Sequence, residues 1–333
     1  MKDKYVKDLR AGDQLSNINF SVIKAERKLA KNGKEYIDVT LGDKSGSILG
    51  RIWTEKFSAC SVDLLKEGIV VGTTAQVTEY QNKLQMVVTM LIPQGSYDDE
   101  DFIPVSKYDI EEMFKKLQSH IGQIRDTHLK GLLENMFDDS EFLEKFKKTP
   151  AAMKLHHDFK GGLLEHILEV IEFCEPMTQL YQPCNHDLVV VGVIMHDIGK
   201  VEEIVWKNLA IEYSTKGKLL GHINIGIEIL DKYKPKNMDP ECYQLLKHII
   251  LSHHGKLEFG SPVIPATIEA RIVSLADDAS AKLRGYKSML ESGSERNNGS
   301  DFSEYNRTIE TAVYLKEYQS VNKTIQNTQE ALF

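Results

Sequence analysis

Hydrophobic and polar positions alternate along the first third of the chain, in short runs rich in branched and aromatic residues. Turn signals such as Asn32-Gly33 and Ser45-Gly46 separate these runs. The pattern predicts five β-strands, at residues 19–25, 35–41, 47–53, 72–80 and 84–92. Between the third and fourth strands, Phe57, Cys60 and Leu64 have the spacing of a helix. Five short strands with a helix at this point are typical of an OB-fold, and a generic small β-barrel is the alternative.

The rest of the chain has the periodicity of helices. A polar stretch, 95–101, followed by Pro104 lacks any periodicity and predicts a linker. Beyond it, apolar residues recur every three or four positions, which predicts helices at residues 106–120, 126–137, 162–174, 187–198, 219–233, 240–254 and 265–286. The last stretch, 302–333, is predicted to be a helix with a frayed tail.

These patterns together predict a multidomain α+β protein. The predicted boundaries are an OB-fold domain over residues 1–95, a linker over 96–110, an all-α domain over 111–310 and a C-terminal helix or tail over 311–333. At 333 residues the chain is long enough for two hydrophobic cores of ordinary size.

The composition is that of a soluble globular protein, with 41% hydrophobic and 27% charged residues. The four cysteines have no paired spacing, which argues against a disulfide framework and against a thiolate zinc site. The first residues are too polar for a signal peptide, and the longest apolar run, 188–195, is far shorter than the roughly 20 residues that span a bilayer. We therefore expect a cytoplasmic protein without membrane contact.

The net charge differs between the two predicted domains. A formal net charge of -8 would by itself argue against a nucleic-acid partner. Residues 1–95, however, carry 14 Lys and Arg against 11 Asp and Glu, whereas the remainder carries 27 against 38. A mildly basic first domain joined to an acidic second domain fits a nucleic-acid binder attached to a domain that collects cations.

Histidines and aspartates recur on the apolar faces or at the ends of the predicted helices. They are His166, His196, Asp197, His222, His253, His254 and Asp277. Helical phase distinguishes Asp277, which follows Val273 by one turn, from Asp278, which shares a face with Arg271 and Lys282. For any one histidine, a core residue with an ordinary partner is the better interpretation. Seven such residues that all point inward favour a metal site, because burial without a partner costs free energy.

Imidazole and carboxylate ligands without thiolates suit Mn, Fe, Co, Ni or Zn. Seven ligands exceed the number that one tetrahedral ion uses. We therefore expect two divalent ions that share a bridging carboxylate, typically about 3.5 to 4 Å apart.

The order of these residues resembles the H…HD…D signature of the HD-domain metal-dependent phosphohydrolases, and the additional histidines resemble the two-metal branch. The resemblance implies a first ion held by His166, His196, Asp197 and Asp277. It implies a second ion held by His222, His253, His254 and again Asp197, which would be the bridge. Three-metal members of the group have a glutamate one turn before the first histidine, where this chain has Gly162, so we expect no third ion.

The segment His196-Asp-Ile-Gly-Lys200 is similar to the HDxGK element of cyclic dinucleotide phosphodiesterases, in which the lysine meets a phosphate oxygen. This similarity and the expected chemistry predict two catalytic residues. Asp197 would orient the attacking water, and Lys200 would hold the phosphate as a compact point charge. A solvated lysine near the end of a helix is the alternative for Lys200.

The order of domains resembles the YhaM-type 3′-to-5′ exoribonucleases, since a predicted OB-fold precedes an HD domain that opens with HDFKGGLLEH at residues 157–166. The resemblance covers nearly the whole chain. It implies a manganese-dependent homo-oligomer that shortens RNA or single-stranded DNA from the 3′ end and releases nucleoside 5′-monophosphates. The alternatives are a phosphodiesterase for cyclic dinucleotides or nucleotides, and a nucleic-acid-binding protein whose metals are structural.

Two further segments lie close to these ligands in sequence. His156 and His157 lie outside the metal pattern and are interpreted as neighbours of the ligands or surface residues. Residues 202–218, which include Trp206 and Tyr213, could form a hairpin that guides a nucleic-acid strand, and a plain surface hairpin is the alternative.

The predicted nucleic-acid contacts lie on the OB-fold. Oligonucleotides usually lie on its second and third strands and on the loop between the first two. In this chain the corresponding residues are basic or aromatic: Arg27, Lys28, Lys31, Lys34, Tyr36, Arg51 and Trp53. Rings beside positive charge suit the stacking of bases without sequence preference. A buried Trp53 beside a merely solvated loop is the alternative.

Overall fold

A computed structural model describes residues 2–30, 33–62, 65–80, 83–153, 157–207, 209–296, 300–306 and 309–316. The chain divides into two compact units. The first consists of Met1–Val105 with Val205–Glu212, and the second of Ser106–Ile204 with Tyr213–Phe333. The first contains a closed β-barrel and the second is built mainly from helices, so the predicted fold class is confirmed. The predicted domain boundaries at residues 95, 110 and 310 stay predictions.

The barrel is formed by five strands, β1 Gln14–Leu29, β2 Glu35–Asp43, β3 Gly46–Trp53, β4 Val70–Tyr80 and β5 Lys83–Pro93. Their order around the barrel is β1-β2-β3-β5-β4, with β4 closing on β1. The β3–β5 pair is parallel and the other pairs are antiparallel. Alternate side chains such as Ile37, Val39 and Leu41 of β2 are buried inside, as the period of a strand requires. All five predicted strands are confirmed.

The segment after β3 differs from the prediction. Instead of an α-helix, it forms two 3₁₀ turns, Thr54–Lys56 and Ser58–Cys60. Ser61 then has a left-handed backbone, with φ of 43°, which no continuing helix allows. Leu64, which completed the predicted helical spacing, lies outside the described residues. The predicted helix, over residues 55–66, is therefore wrong over residues 55–62.

The second unit contains nine helices in the described part of the chain. They are α1 Ile110–Gln123, α2 Thr127–Asp138, α3 Ser140–Lys148, α4 Gly162–Leu180, α5 His186–His196, α6 Lys200–Glu203, α7 Thr215–Tyr233, α8 Pro240–Ser252 and α9 Ile268–Arg296. Each of the seven predicted helices has a counterpart, and α3 and α6 were not predicted. The first begins at Ile110 instead of residue 106, because Asp109 caps it by accepting the N–H of Glu112 at 2.9 Å.

Helix α5 forms the centre of this unit. All its residues from Leu188 to His196 are buried, and it packs against α4, α7, α8 and α9. A helix that is apolar all round belongs in the interior. Its C-terminal end therefore delivers His196 and the following Asp197 into the core.

The hairpin predicted within residues 202–218 is present as strands β6 Ile204–Lys207 and β7 Ala210–Tyr213. The C-terminal helix prediction is wrong over the described residues 300–306 and 309–316. These residues pair across a turn, because the N–H of Ser303 donates to the carbonyl of Val313 at 2.8 Å and a second bridge joins Asn306 to Thr311. Residues 317–333 lie outside the described part. No helix that the structure describes has the length and apolarity needed to cross a membrane.

Candidate metal centre

All seven predicted ligands lie in the second unit, and five helices bring them together. His166 is on the first turns of α4, and His196 ends α5 just before Asp197. His222 lies in α7, Asp277 lies in α9, and the adjacent histidines 253 and 254 directly follow α8. Residues as far apart in sequence as His166 and Asp277, 111 positions, thus form one cluster.

The first group of ligands surrounds the Nε2 atom of His166. This atom lies 3.3 Å from His196 Nε2 and 3.2 Å from Asp277 Oδ1. Asp197 Oδ2 is 3.7 Å from His166 Nε2 and 3.4 Å from His196 Nε2. Asp278, in contrast, is exposed and pairs with Lys282 at 2.7 Å, as helical phase predicted.

The second group consists of His222, His253 and His254, whose ligand nitrogens all lie within 4.8 Å of one another. The ring centroids of His253 and His254 are 4.3 Å apart, and that of His222 is 5.2 Å from His254. Three imidazoles this close form a donor set that a divalent ion could use.

Asp197 lies between the two groups and presents one oxygen to each. Its Oδ2 atom faces the first group, whereas its Oδ1 atom is 3.4 Å from His222 Nε2 and 3.7 Å from His253 Nε2. The carboxylate therefore has the arrangement that a bridging ligand needs.

The other ring nitrogen of most of these histidines is already occupied. Nδ1 of His196 and Nδ1 of His253 donate to the carbonyls of Val193, at 2.6 Å, and of Ile250, at 2.8 Å. Nδ1 of His254 likewise lies 2.9 Å from the carbonyl of Phe259. Such contacts fix the tautomer and leave Nε2 with a free lone pair for a metal.

Three buried atoms of the cluster have no hydrogen-bond partner among the residues that the structure describes. They are Asp197 Oδ1, His222 Nε2 and His253 Nε2. A buried polar atom without a partner costs about 1 to 3 kcal/mol. Because these atoms face one another and carry the lone pairs that divalent ions prefer, the residues present fit a bound metal.

Burial and mutual contacts set the charges of the cluster. Burial alone would raise the pKa of Asp197, but the positive charge of Lys200 holds it well below its usual range. Burial likewise opposes ionisation of Asp277, whose pKa is lowered by the hydrogen bond with His166. Burial lowers the pKa of His253 to about 3. Ionised carboxylates beside a neutral imidazole are the state that metal binding requires.

Lys200, the second predicted catalytic residue, lies at the edge of the first group. Its Nζ atom donates to Asp197 Oδ2 at 2.6 Å. Burial would lower the pKa of this lysine, but the contact with Asp197 outweighs that effect and raises it. Lys200 is therefore a fixed positive charge at the cluster and not a solvated lysine.

A buried ion-pair network that the sequence did not reveal supports α4 behind His166. Arg284 of α9 binds Glu165 at 2.9 Å and Glu169 at 2.7 Å, and Glu165 also accepts the hydroxyl of Ser106 at 2.7 Å. His157 is buried beside this network, with its ring centroid 5.5 Å from that of His166. The signal that could have found Arg284 is its spacing of seven residues, two helical turns, from Asp277. His156 lies outside the described residues.

Part of the predicted nucleic-acid surface forms a patch on the barrel. Tyr36 pairs across the strands with Trp53 and with Lys28, so the three side chains share the outer face. The Tyr36 and Trp53 ring centroids are 5.6 Å apart, and the Arg51 guanidinium lies 4.8 Å from the Tyr36 ring. Asp38 accepts from both Arg51 and Lys28. We call Lys28, Tyr36, Arg51 and Trp53 the barrel patch.

The other predicted contacts do not join this patch. Arg27 is the cross-strand partner of the buried Ile37 and therefore lies on the opposite face, where it stacks over Phe57. Arg27 and Lys28 both belong to strand β1 and not to the loop in which they were predicted, which corrects the prediction. Lys34 pairs with Glu55 at 3.0 Å. Lys31 lies outside the described residues.

Comparison with known proteins first identifies the class. Residues 163–282 match the HD domain family, a span that starts just before His166 and ends just after Asp277. The second unit therefore contains an HD domain, a fold that binds divalent metal ions through such histidines and aspartates.

The whole chain then identifies the family. It is 30% identical over 296 residues to the 3′-5′ exoribonuclease YhaM of Shouchella clausii, covering 88% of this chain and 90% of the relative. It is 29% identical over 310 residues to the protein of the same name from Bacillus velezensis, covering 92% and 95%. The chain belongs to the YhaM family, which confirms the predicted resemblance and the predicted enzyme class, a hydrolase of phosphodiester bonds.

Similarity to solved structures adds nothing to this assignment. A solution structure of a hypothetical protein from Arabidopsis thaliana matches 31% of this chain and 79% of its own length, at 15% identity and a TM-score of 0.24. That score is too low to support an argument.

Proposed function

We propose that this protein is a metal-dependent 3′-to-5′ exonuclease that hydrolyses RNA or single-stranded DNA to nucleoside 5′-monophosphates. The observation that carries the proposal is the convergence of seven His and Asp side chains with unpaired buried atoms at their centre. The relatives named as 3′-5′ exoribonucleases support the direction and the substrate class.

The proposed ligands of the two metal ions correspond to the two groups of side chains described above. A first ion would be held by His166, His196, Asp197 and Asp277, and a second by His222, His253, His254 and Asp197. We propose Mn²⁺ for both, with Fe, Co, Ni and Zn as alternatives. When bound, such ions neutralise charge on the phosphate oxygens and lower the pKa of an attacking water toward roughly 7.

The catalytic residues of the chain itself would be Asp197 and Lys200. Asp197 orients the attacking water, because its carboxylate is ionised and points into the cluster. Lys200 binds a non-bridging phosphate oxygen with its ammonium group, which is charged and held beside Asp197. A fixed cation at this place stabilises the charge that develops on the phosphate in the transition state.

The barrel would bind the strand upstream of the scissile bond. The tilted Tyr36 and Trp53 rings beside the Arg51 guanidinium support this proposal, because bases stack on such surfaces whatever their sequence. Arg27, Lys31 and Lys34 would supply additional positive charge. We further propose that the protein is a homo-oligomer, as the family resemblance implies, and that it acts in the cytoplasm, as its polar first residues and short apolar runs predict.

The test is digestion of a 5′-labelled oligoribonucleotide by the purified full-length protein with Mn²⁺. We expect a stepwise ladder of shortened products and free nucleoside 5′-monophosphates. A parallel series with a single-stranded DNA oligomer measures the preference between the two nucleic acids. Absence of any shortening with Mn²⁺, Fe²⁺, Co²⁺, Ni²⁺ and Zn²⁺ would contradict the proposal.

A second candidate is a phosphodiesterase that acts on cyclic dinucleotides or nucleotides. The specific observation in its favour is Lys200, which the HDxGK element places beside Asp197 at 2.6 Å. Turnover of such compounds without any shortening of oligomers would favour this activity.

A further inference from the structure

Helix α7 is interrupted immediately before His222. Gly221 has φ of 69° and ψ of 156°, values far from those of a helix. A residue with a side chain rarely adopts such a backbone, so glycine allows the break. The chain resumes its helical course at His222, whose backbone N–H therefore begins a new helical segment. Such an N–H has no partner within the helix and needs an acceptor from elsewhere.

Glu203 at the end of α6 provides that acceptor. Its Oε1 atom accepts the backbone N–H of His222 at 2.8 Å. The same oxygen lies 3.3 Å from Nδ1 of the His222 ring. Glu203 is only 6% exposed. One buried carboxylate oxygen thus contacts both the backbone and the ring of a single histidine.

The segment around Glu203 is itself held firmly against α7. The carbonyl of Glu203 accepts the N–H of Ser214 at 2.8 Å, and the Ser214 hydroxyl caps α7 by accepting the N–H of Gly217 at 2.9 Å. On the other side, a Cβ atom at Gly199 would lie 1.9 Å from the carbonyl oxygen of His222. Only glycine permits this close approach, so the position of the Glu203 carboxylate relative to His222 is fixed.

We infer that Glu203 is the positioning residue of the second metal site and acts through His222. By accepting the proton of Nδ1, its carboxylate holds the tautomer in which Nε2 carries the lone pair. That Nε2 atom is the buried, unpaired nitrogen that faces Asp197 Oδ1 at 3.4 Å. The other ligand histidines in the described part of the chain use a carbonyl or the Ser280 hydroxyl in this role. A carboxylate partner makes an imidazole a more basic ligand.

The inference rests on the proposed two-metal site and is tested by metal affinity in the full-length protein. We expect Glu203→Ala to weaken the binding of one Mn²⁺ equivalent by roughly 10- to 100-fold, the usual effect of losing such a partner, and to leave the other equivalent unchanged. Titration calorimetry with Mn²⁺ and metal analysis after dialysis measure both equivalents. Glu203→Gln keeps an acceptor oxygen and should restore most of the lost affinity.

Two further variants separate positioning from a general effect on the fold. Glu202→Ala is the matched control, because Glu202 is the neighbouring residue and pairs with Lys216 at 2.5 Å, away from His222. It should bind both equivalents like the wild type. In a His222→Ala background, Glu203→Ala should cause no additional loss of affinity, since its effect depends on the ring of His222.

The outcomes distinguish this inference from the proposed function. If Glu203→Ala keeps wild-type affinity for both equivalents, or weakens both equally, Glu203 does not position His222. If the wild type binds no Mn²⁺, the proposed function fails first. Nitrogen NMR of the histidines in the metal-free wild type tests the inference without any variant of Glu203. It should show the proton of His222 on Nδ1, and a proton on Nε2 would overturn the inference.

Discussion

The metal centre and the barrel patch both combine charged side chains with aromatic or imidazole rings. They differ in how deeply these side chains are buried and in whether their polar atoms have partners. In the metal centre, His196, Asp197 and His253 are at most 3% exposed, and Asp197 Oδ1 and His253 Nε2 lack hydrogen-bond partners in the described part of the chain. In the barrel patch, Trp53 is 36% exposed, and each cation already has a carboxylate partner at the surface.

This difference in burial and pairing determines whether a region requires a bound ligand or only permits one. Buried polar atoms without partners require a ligand, because water cannot reach them and each one costs free energy. A surface with paired charges is stable as it is and only permits binding. The following predictions test this contrast, beginning with the largest effect.

Asp197→Asn should lower the exonuclease activity by more than about 10³-fold. The amide lacks the negative charge that both ligand groups share. Its NH2 group also replaces one of the two carboxylate oxygens and cannot donate a lone pair to a metal ion. Initial rates on the labelled oligoribonucleotide measure the effect. Asp278→Asn is the matched control, because Asp278 is exposed on α9 beside Asp277, and it should keep wild-type activity. Equal rates for the two variants would mean that the cluster is not the catalytic site.

Arg284→Ala should destabilise the helical unit by about 3 kcal/mol, since removing one partner leaves a buried charge uncompensated. Glu165, the partner, has a side chain that is only 2% exposed. Urea unfolding followed by helical circular dichroism measures the change. Lys282→Ala breaks an exposed pair on the same helix and should change stability by less than about 1 kcal/mol. If Arg284→Ala changes the free energy of unfolding as little as Lys282→Ala does, the ion-pair network does not support α4.

Mn²⁺ should stabilise the helical unit by about 2.7 kcal/mol at a concentration one hundred times its dissociation constant. The ion binds the folded cluster and satisfies the unpaired atoms of Asp197, His222 and His253. Thermal unfolding of the full chain with and without a chelator measures the shift. The same melting temperature in both conditions would argue against metal binding by the folded cluster.

Trp53→Ala should weaken the binding of single-stranded RNA by roughly 1 to 3 kcal/mol, the loss of one stacked base. Fluorescence anisotropy with a labelled oligomer measures the affinity, and a chelator in the buffer prevents cleavage. Tyr80→Ala removes another exposed aromatic side chain of the barrel, 62% exposed, and should leave the affinity unchanged. Equal affinities of both variants would remove the barrel patch from the binding surface.

The ligands of the metal centre could be predicted because each one lies in, or directly after, a helix with a clear pattern of apolar residues. A periodicity of 3.6 residues assigns Asp277 to the inner face and Asp278 to the outer face without reference to any other helix. The structure agrees, since Asp277 lies 3.2 Å from His166 and Asp278 pairs at the surface. The strands of the barrel could be predicted for the same reason, because hydrophobic and polar residues alternate along each of them.

The partners behind the ligands could not be predicted. Glu203 contacts His222 only because α7 breaks at Gly221, and Arg284 reaches Glu165 only because α9 packs on α4. The spacing from Asp277 places Arg284 on the inner face of α9, but no local pattern in the sequence pairs it with Glu165, and none pairs Glu203 with His222. The barrel patch depends on an irregularity of β1 between Val22 and Lys24, where the register shifts. The shift makes Lys28 the cross-strand partner of Tyr36, whereas an unshifted register would place Arg27 there and turn Lys28 to the other face.

The sequence alone therefore determined which residues are buried and which kinds of atoms they bring into the interior. Local periodicity contains that information, because a helix or a strand fixes the direction of each side chain relative to its own axis. Only the tertiary structure decided which buried atoms meet and which remain unpaired. Those distances depend on kinks, bulges and helix packing, which join parts of the chain that are far apart in sequence.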